Sequence, residues 1–364
     1  MIVSQTEIQR PPRGRDVPSH ARTKTTAILE VMGVYVVGQT LGMVLFAVMG
    51  RLMNIPLKNP LLGITASISQ GDLLRVTWQL LVLLLCQSAG WLLLAFGVGW
   101  WRRRYRPSHY GLTLAGRSPG FYLKTGLVVF VVAELLGKLL SLANAIHPMG
   151  EQIAWREAVF NMSWTTPAFW AFMAVGSFVL VPILEELFFR GYIQTRLEEG
   201  FGAPVAILAT AFLFQLSHSQ YLILNPFNVG MILTGLFGSV VWGYAFYLTR
   251  SLWVTIVAHA LVNIPIRGVG LWVEILGMLV VVVVARRDIG RAAVDFWSMV
   301  RSISPCWQAL CVVASCGLFS IAFAMLGDVM ILAGSATFIV AMILVWLEKR
   351  RSASPVPAIR GADC

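Results

Sequence analysis

The sequence predicts an all-α polytopic membrane protein with about ten transmembrane helices, three of which carry the polar residues of a site. Three observations predict it. Hydrophobic residues make up 57% of the 364 and charged residues only 12%, against about 45–50% and about 25% in a soluble domain. Apolar runs of span length recur along the chain, and mean hydropathy is +0.75. Basic residues gather at alternate ends of those runs, as topology signals do. The net charge of +11, from 28 basic and 17 acidic residues, is therefore read as membrane orientation. No basic groove or motif for nucleic acid accompanies it, so no nucleic-acid partner is expected.

Residues 1–24 are polar, with Arg10, Arg13, Arg15, Arg22 and Lys24 among Pro11, Pro12 and Pro18. That composition is a disordered basic tail. The apolar run behind it has about 25 residues, too long for the core of a signal peptide, and reads as a retained first span. Candidate spans then fall at 26–50, 77–100, 121–146, 166–192, 203–219, 228–249, 252–266, 269–285, 306–326 and 329–347.

With the tail in the cytoplasm, every second loop is expected to be basic. Arg102, Arg103, Arg104, Arg106 and Arg117 lie in 101–120, Arg196 near 193–202, and Arg250 in the next cytoplasmic turn. Arg286, Arg287, Arg291 and Arg301 lie in 286–304, and Lys349, Arg350 and Arg351 come after the last span. The opposite loops are poorer, with Arg51, Lys58 and Arg75 in the first and Arg156 in the second. This pattern fits both termini inside, and the lack of an organellar retention signal points to a bacterial inner membrane.

Loop 286–304 places Ile289, Ala293, Phe296 and Val300 at helical spacing among arginines, a pattern for a surface-lying amphipathic helix. The chain thus divides into a tail (1–24), N-terminal helices (25–160), a core (161–285), the amphipathic loop (286–304), an accessory hairpin (305–347) and a second cytoplasmic tail (348–364). Cys86, Cys306, Cys311 and Cys316 read as small apolar fillers, since the spacing of five spreads the last three round a helix. Cys364 is the last residue and forms no prenylation box.

Charge inside the apolar run FVLVPILEELFFRGY is the main clue to chemistry. Each such side chain costs about 2.5–3.5 kcal/mol at a helix centre on insertion scales. Glu186 and Arg190 stand i, i+4 with the acid first, the favourable order for a pair. Glu185 lies about 100° round the helix and faces elsewhere. A carboxylate without its own cation suits a general base, or else the three residues form an ion-paired network pinning helices.

Phe214 and His218 share a face in AFLFQLSHS. A histidine near a helix end is commonly an interfacial or capping residue. However, Glu185 and His218 each lie about 16 residues from the turn FGAP (201–204), so a straight hairpin sets them level. Together they could hold and deprotonate a water. His259 and Asn263 are i, i+4 in AHALVN, and both can donate hydrogen bonds, either to a developing oxyanion or simply between helices. His259 is only about nine residues from its turn at Arg250. For all to meet, the hairpin carrying Arg196, Glu198 and Glu199 at its tip must project about 10 Å or tilt. Glu134 and Lys138 are expected to neutralise each other, and neither they nor Glu30 or Glu274 are assigned to the site.

The combination resembles the CAAX-processing and bacteriocin-processing intramembrane protease family, also called Abi. Its pattern is E-E-x-x-x-R, F-x-x-x-H and H-x-x-x-N or D on separate helices. Here these are Glu185-Glu186-x-x-x-Arg190, Phe214-x-x-x-His218 and His259-x-x-x-Asn263, in order over about 80 residues. The resemblance implies a helical core in which Glu185 and His218 activate water. His259 and Asn263 would form the oxyanion site, with Glu186 and Arg190 supporting Glu185. It also implies a substrate: a lipid-anchored or membrane peptide cut near its C-terminus.

One carboxylate and two histidines could bind zinc, but no H-E-x-x-H is present, and a metal-free, cofactor-free hydrolase is the reading taken. Serine (G-x-S-G) and paired-aspartate (G-x-G-D) protease motifs are absent. Two rivals stay open: a catalytically silent membrane adaptor or bacteriocin-immunity protein on the same scaffold, and a transporter using Glu185 and His218 as a proton relay. The second lacks the repeat or broken helices expected of it.

Overall fold

The structure, a computed structural model, describes residues 20–53, 70–103, 105–114, 117–150, 170–218, 225–264, 269–303, 306–325 and 328–353. Most of the basic tail, Lys58, Arg104, Arg156, the ends of four expected spans and the end of the chain from 354 lie outside the described residues. Within them the fold is all helix. The helices are α1 (His20–Leu52), α2 (Gln70–Arg103), α3 (Pro119–Ile146) and α4, then α5 (Ala203–Leu216), α6 (Pro226–Thr249), α7 (Leu252–Val262), α8 (Val269–Arg301), α9 (Trp307–Met325) and α10 (Asp328–Ala353). Helix α4 runs without a break through Ala171–Leu180, Val181–Glu186, Leu187–Gln194 and Thr195–Phe201.

Five stretches are long and apolar enough to cross a membrane: Lys24–Leu52, Leu81–Trp101, Pro119–Ile146, Pro226–Thr249 and Val269–Arg301. Shorter apolar helices cover Ala203–Leu216, Leu252–Val262 and Trp307–Leu318. The chain is a multi-pass membrane protein. Helix α8 continues unbroken through 286–301, so the stretch read as a separate surface segment is the far end of that helix, with Phe296 packed 5.2 Å from Tyr244 of α6.

Helix α4 is the hub. Every residue from Glu186 to Gln194 is buried, as expected of a helix enclosed on all sides. Two stretches of it are π-helical, and the first has a local cause. Pro182 has no N–H to give and its ring crowds the preceding turn. The turn before it widens, and Val181 N–H reaches back to the carbonyl of Gly176. Aromatic rings close the space around α4: Trp91 stacks on Phe188 with centroids 4.6 Å apart, and Phe189 meets Phe214 edge-on at 5.1 Å.

Helices α1 and α2 pack backbone to backbone. A Cβ on Gly42 would stand 2.6 Å from Cα of Gln87, and one on Gly90 would collide with the Gly38 carbonyl. Small residues allow this approach, which is how membrane helices gain packing energy without a hydrophobic drive. Gln87 and Gln39 add an interhelical bond of 2.8 Å. Helix α3 lies against α6, α7 and α8, and α9 and α10 form a hairpin packed on α1 and α5.

Two expectations about charge are corrected. Arg196 is not a loop residue at a projecting tip: its side chain is fully buried and paired with Glu30 of α1. It also binds Glu199 at 2.6 Å and Thr26 Oγ1 at 3.1 Å. Tyr105 holds Glu199 at 2.5 Å, and Arg250 grips Glu198 with both terminal nitrogens. The tip is drawn inward because Arg196 meets Glu30 and Glu198 meets Arg250 on neighbouring elements, while Glu199 accepts from the Tyr105 hydroxyl. Lys138, in turn, pairs with Glu274 of α8 at 3.0 Å, with both side chains largely buried. The rotation of α3 that buries its apolar face against α8 turns Lys138 to that helix.

Candidate active site

Glu186 and Arg190 lie one turn apart on α4, and both side chains are fully buried. Arg190 Nη1 donates to Glu186 Oε1 at 2.9 Å, and Nη2 donates to Ser239 Oγ of α6 at 2.6 Å. The guanidinium also lies over two rings, 4.4 Å from Phe214 and 5.3 Å from Trp242, an arrangement that stabilises a desolvated cation. His259 of α7 completes the network, its Nδ1 3.0 Å from Glu186 Oε1. The same oxygen accepts from Arg190, so it is a carboxylate oxygen and His259 Nδ1–H is the donor. The His259 ring stacks on Trp242 at 4.8 Å and meets Phe214 edge-on at 5.9 Å.

Glu185 stands beside this network. Its Oε2 lies 3.8 Å from His259 Nε2, too far for a direct hydrogen bond. That oxygen is buried and accepts no hydrogen bond among the described residues.

His218 lies just past the end of α5. Its Nδ1 is 2.7 Å from the Phe214 carbonyl and its ring is 4.6 Å from Phe214. A carbonyl only accepts, so Nδ1 carries the proton, and in the neutral ring Nε2 is the basic nitrogen. The α4–α5 turn sets its depth. Gly202 takes φ +82°, a left-handed conformation suited to glycine. From that turn, Phe214 faces Phe189 and Arg190, and His218 lies one turn further on.

Asn263 caps the end of α7 and donates from Nδ2 to the Ser177 carbonyl of α4 at 2.8 Å. His259 and Asn263 therefore both bond across helices to α4. Each keeps donor capacity: His259 at Nε2 when doubly protonated, and Asn263 through its second amide hydrogen.

The depth mismatch anticipated from the sequence is absorbed inside the helices. Glu198 meets Arg250 at one end and Glu186 meets His259 at the other. The twelve residues from Glu186 to Glu198 thus span the same height as the nine from Arg250 to His259, about 18 Å against about 13 Å if both were ideal helix. The π-helical stretch Leu187–Gln194 packs more residues into each turn and so shortens α4 in that interval. The reach of the Arg250 side chain takes up more, so no projection is needed.

Two site residues were not foreseen. Ser239 and Trp242 stand in an uncharged helix, where serine and tryptophan read as ordinary packing. Only their spacing, close to one turn on a single face of α6, hinted at a shared role. Among the described residues no three His, Cys, Asp or Glu side chains converge as a metal-ligand set.

No curated protein and no solved structure matches this chain. A family model does, "Type II CAAX prenyl endopeptidase Rce1-like", and its match contains all three motifs and the α4–α7 elements that hold them. The match covers residues 166–265, and that stretch is similar to the Rce1-like type II CAAX prenyl endopeptidases.

Proposed function

We propose that the chain is an intramembrane endopeptidase that hydrolyses a peptide bond near the C-terminus of a prenylated or otherwise membrane-held peptide. Both termini and the substrate's entry lie on the cytoplasmic side of a bacterial inner membrane, and about ten helices span the bilayer. One observation carries the reading. Glu185 Oε2 is a buried carboxylate oxygen outside the Glu186–Arg190–His259 network and aimed toward His259. Its position and the family match over residues 166–265 together support its use as a base.

The reaction assigned to these residues begins with a water held between Glu185 and His218 Nε2. Glu185 takes one proton as the oxygen attacks the scissile carbonyl carbon. The carbonyl oxygen becomes an oxyanion and accepts from His259 Nε2–H and Asn263 Nδ2–H. The C–N bond then breaks, and the proton held on Glu185 passes to the departing amine. Glu186 and Arg190 do not touch substrate. They fix the ring plane and Nδ1–H of His259, while Trp242 supports its face.

The test is cleavage of a farnesylated CAAX-type peptide by purified protein, wild type beside Glu185→Gln, with and without chelator. Wild-type cleavage that falls about 10²–10⁴-fold in the variant and ignores chelator is the expected result. Chelator-sensitive cleavage replaces the metal-free mechanism with a zinc one. Absence of cleavage by wild type removes the prenylated substrate and raises the membrane adaptor or immunity role to an equal rival.

A further inference from the structure

A cavity of about 450 Å³, separate from the catalytic cluster, lies where the start of α1, the α4–α5 turn, the end of α8 and the α9–α10 hairpin meet. That volume is within the range of small-molecule sites. Its floor is apolar, with Phe201, Val205 and Leu344. Its polar side holds charges of both signs: Lys24 Nζ is 2.7 Å from Glu348 Oε1, and Gln308 Nε2 donates to Glu348 Oε2 at 3.0 Å. Trp307 and Trp346 are exposed at this level, and Arg350 lies 4.0 Å over Trp346. Such amphipathic rings with an arginine mark a membrane interface.

A ligand of this cavity therefore has hydrocarbon on one side and a head carrying both charges on the other. We propose that the cavity binds the head and upper acyl chain of a phosphoethanolamine lipid. Its phosphate oxygens meet the Lys24 ammonium, and its primary ammonium donates to Glu348 while the chain lies on Phe201 and Leu344. The Lys24–Glu348 pair is partly exposed, so opening it to admit both ligand charges gives up little. A phosphoglycerol head supplies no cation for Glu348, and a phosphocholine head supplies no N–H donor.

The lining comes from two sources: Phe201 and Val205 lie within residues 166–265, whereas Gln308, Leu344 and Glu348 lie beyond them. A lipid held here joins the C-terminal hairpin to the α4–α5 turn that sets His218. Binding is read without any cleavage assay, so the inference stands or falls separately from the proposed activity.

The experiment is native mass spectrometry of the full-length protein after exchange into an equimolar mixture of phosphatidylethanolamine, phosphatidylglycerol and phosphatidylcholine. Retention of phosphatidylethanolamine over the other two by about tenfold is expected, the ratio one good charge-assisted contact supplies. Lys24→Gln with Glu348→Gln is expected to abolish the preference at unchanged melting temperature, and Val205→Phe to remove the bound lipid by filling the cavity. Equal retention of the three lipids, or a preference that survives the double substitution, overturns the proposal. Displacement of the lipid by free phosphoethanolamine at matched concentration overturns the lipid assignment in favour of a soluble headgroup site.

Discussion

His259 Nδ1 donates to Glu186 Oε1 at 3.0 Å, joining α7 to α4 across 73 residues of sequence. The bond sorts two adjacent glutamates into different roles. Glu186 is held by Arg190 and His259 together, whereas the buried Glu185 Oε2 accepts from neither.

Loss of the two carboxylates is therefore expected to act differently. Glu186→Ala leaves Arg190 buried without its anion, a loss of about 3–5 kcal/mol, read as a lower melting temperature in detergent. Glu185→Gln is expected to melt like wild type and to lose only cleavage. Equal melting of Glu186→Ala and wild type would sink the supporting role of Glu186.

Trp242 is expected to act on turnover more than on binding. It stacks on His259 and lies under Arg190, and an aromatic pair contributes about 0.5–1.5 kcal/mol beyond burial. Trp242→Leu is expected to lower kcat up to about tenfold with little change in KM, and Trp242→Phe to keep most of the rate. Steady-state kinetics of the two variants decide it.

Lys138 and Glu274 form a buried pair between α3 and α8. Either single change to Met leaves the remaining charge unpartnered and is expected to destabilise by several kcal/mol. The double Met variant is expected to recover most of that loss. A double-mutant cycle on unfolding free energy measures the coupling, and additive single effects would show that the pair does not matter.

Gly90 faces the Gly38 carbonyl at the α1–α2 crossing. Gly90→Ala is expected to force the helices apart and destabilise by about 1–3 kcal/mol. Gly33→Ala is the control, because a Cβ there meets nothing within 4 Å. Thermal melting of both variants provides the comparison.

Arg196 offers a test of geometry over charge. It binds Glu30, Glu199 and Thr26 through separate nitrogens. A lysine brings one nitrogen to that place, so Arg196→Lys is expected to destabilise although the charge is kept. A wild-type melting curve for Arg196→Lys would count against a bonded network.

The sequence by itself determined the features that local periodicity dictates. Apolar runs gave helices of membrane-spanning length at α1, α2, α3, α6 and α8, and i, i+4 spacing gave the Glu186–Arg190 pair, because helix geometry brings such residues together whatever surrounds them. Tertiary structure alone decided which partners meet between helices. It gave His259 to Glu186, Arg196 to Glu30 and Lys138 to Glu274, and it brought Ser239 and Trp242 under Arg190. Those choices depend on the rotation and depth of each helix. Both are set by packing over its whole length, by the close glycine contacts and by the π-turns of α4, and no short window of sequence contains them.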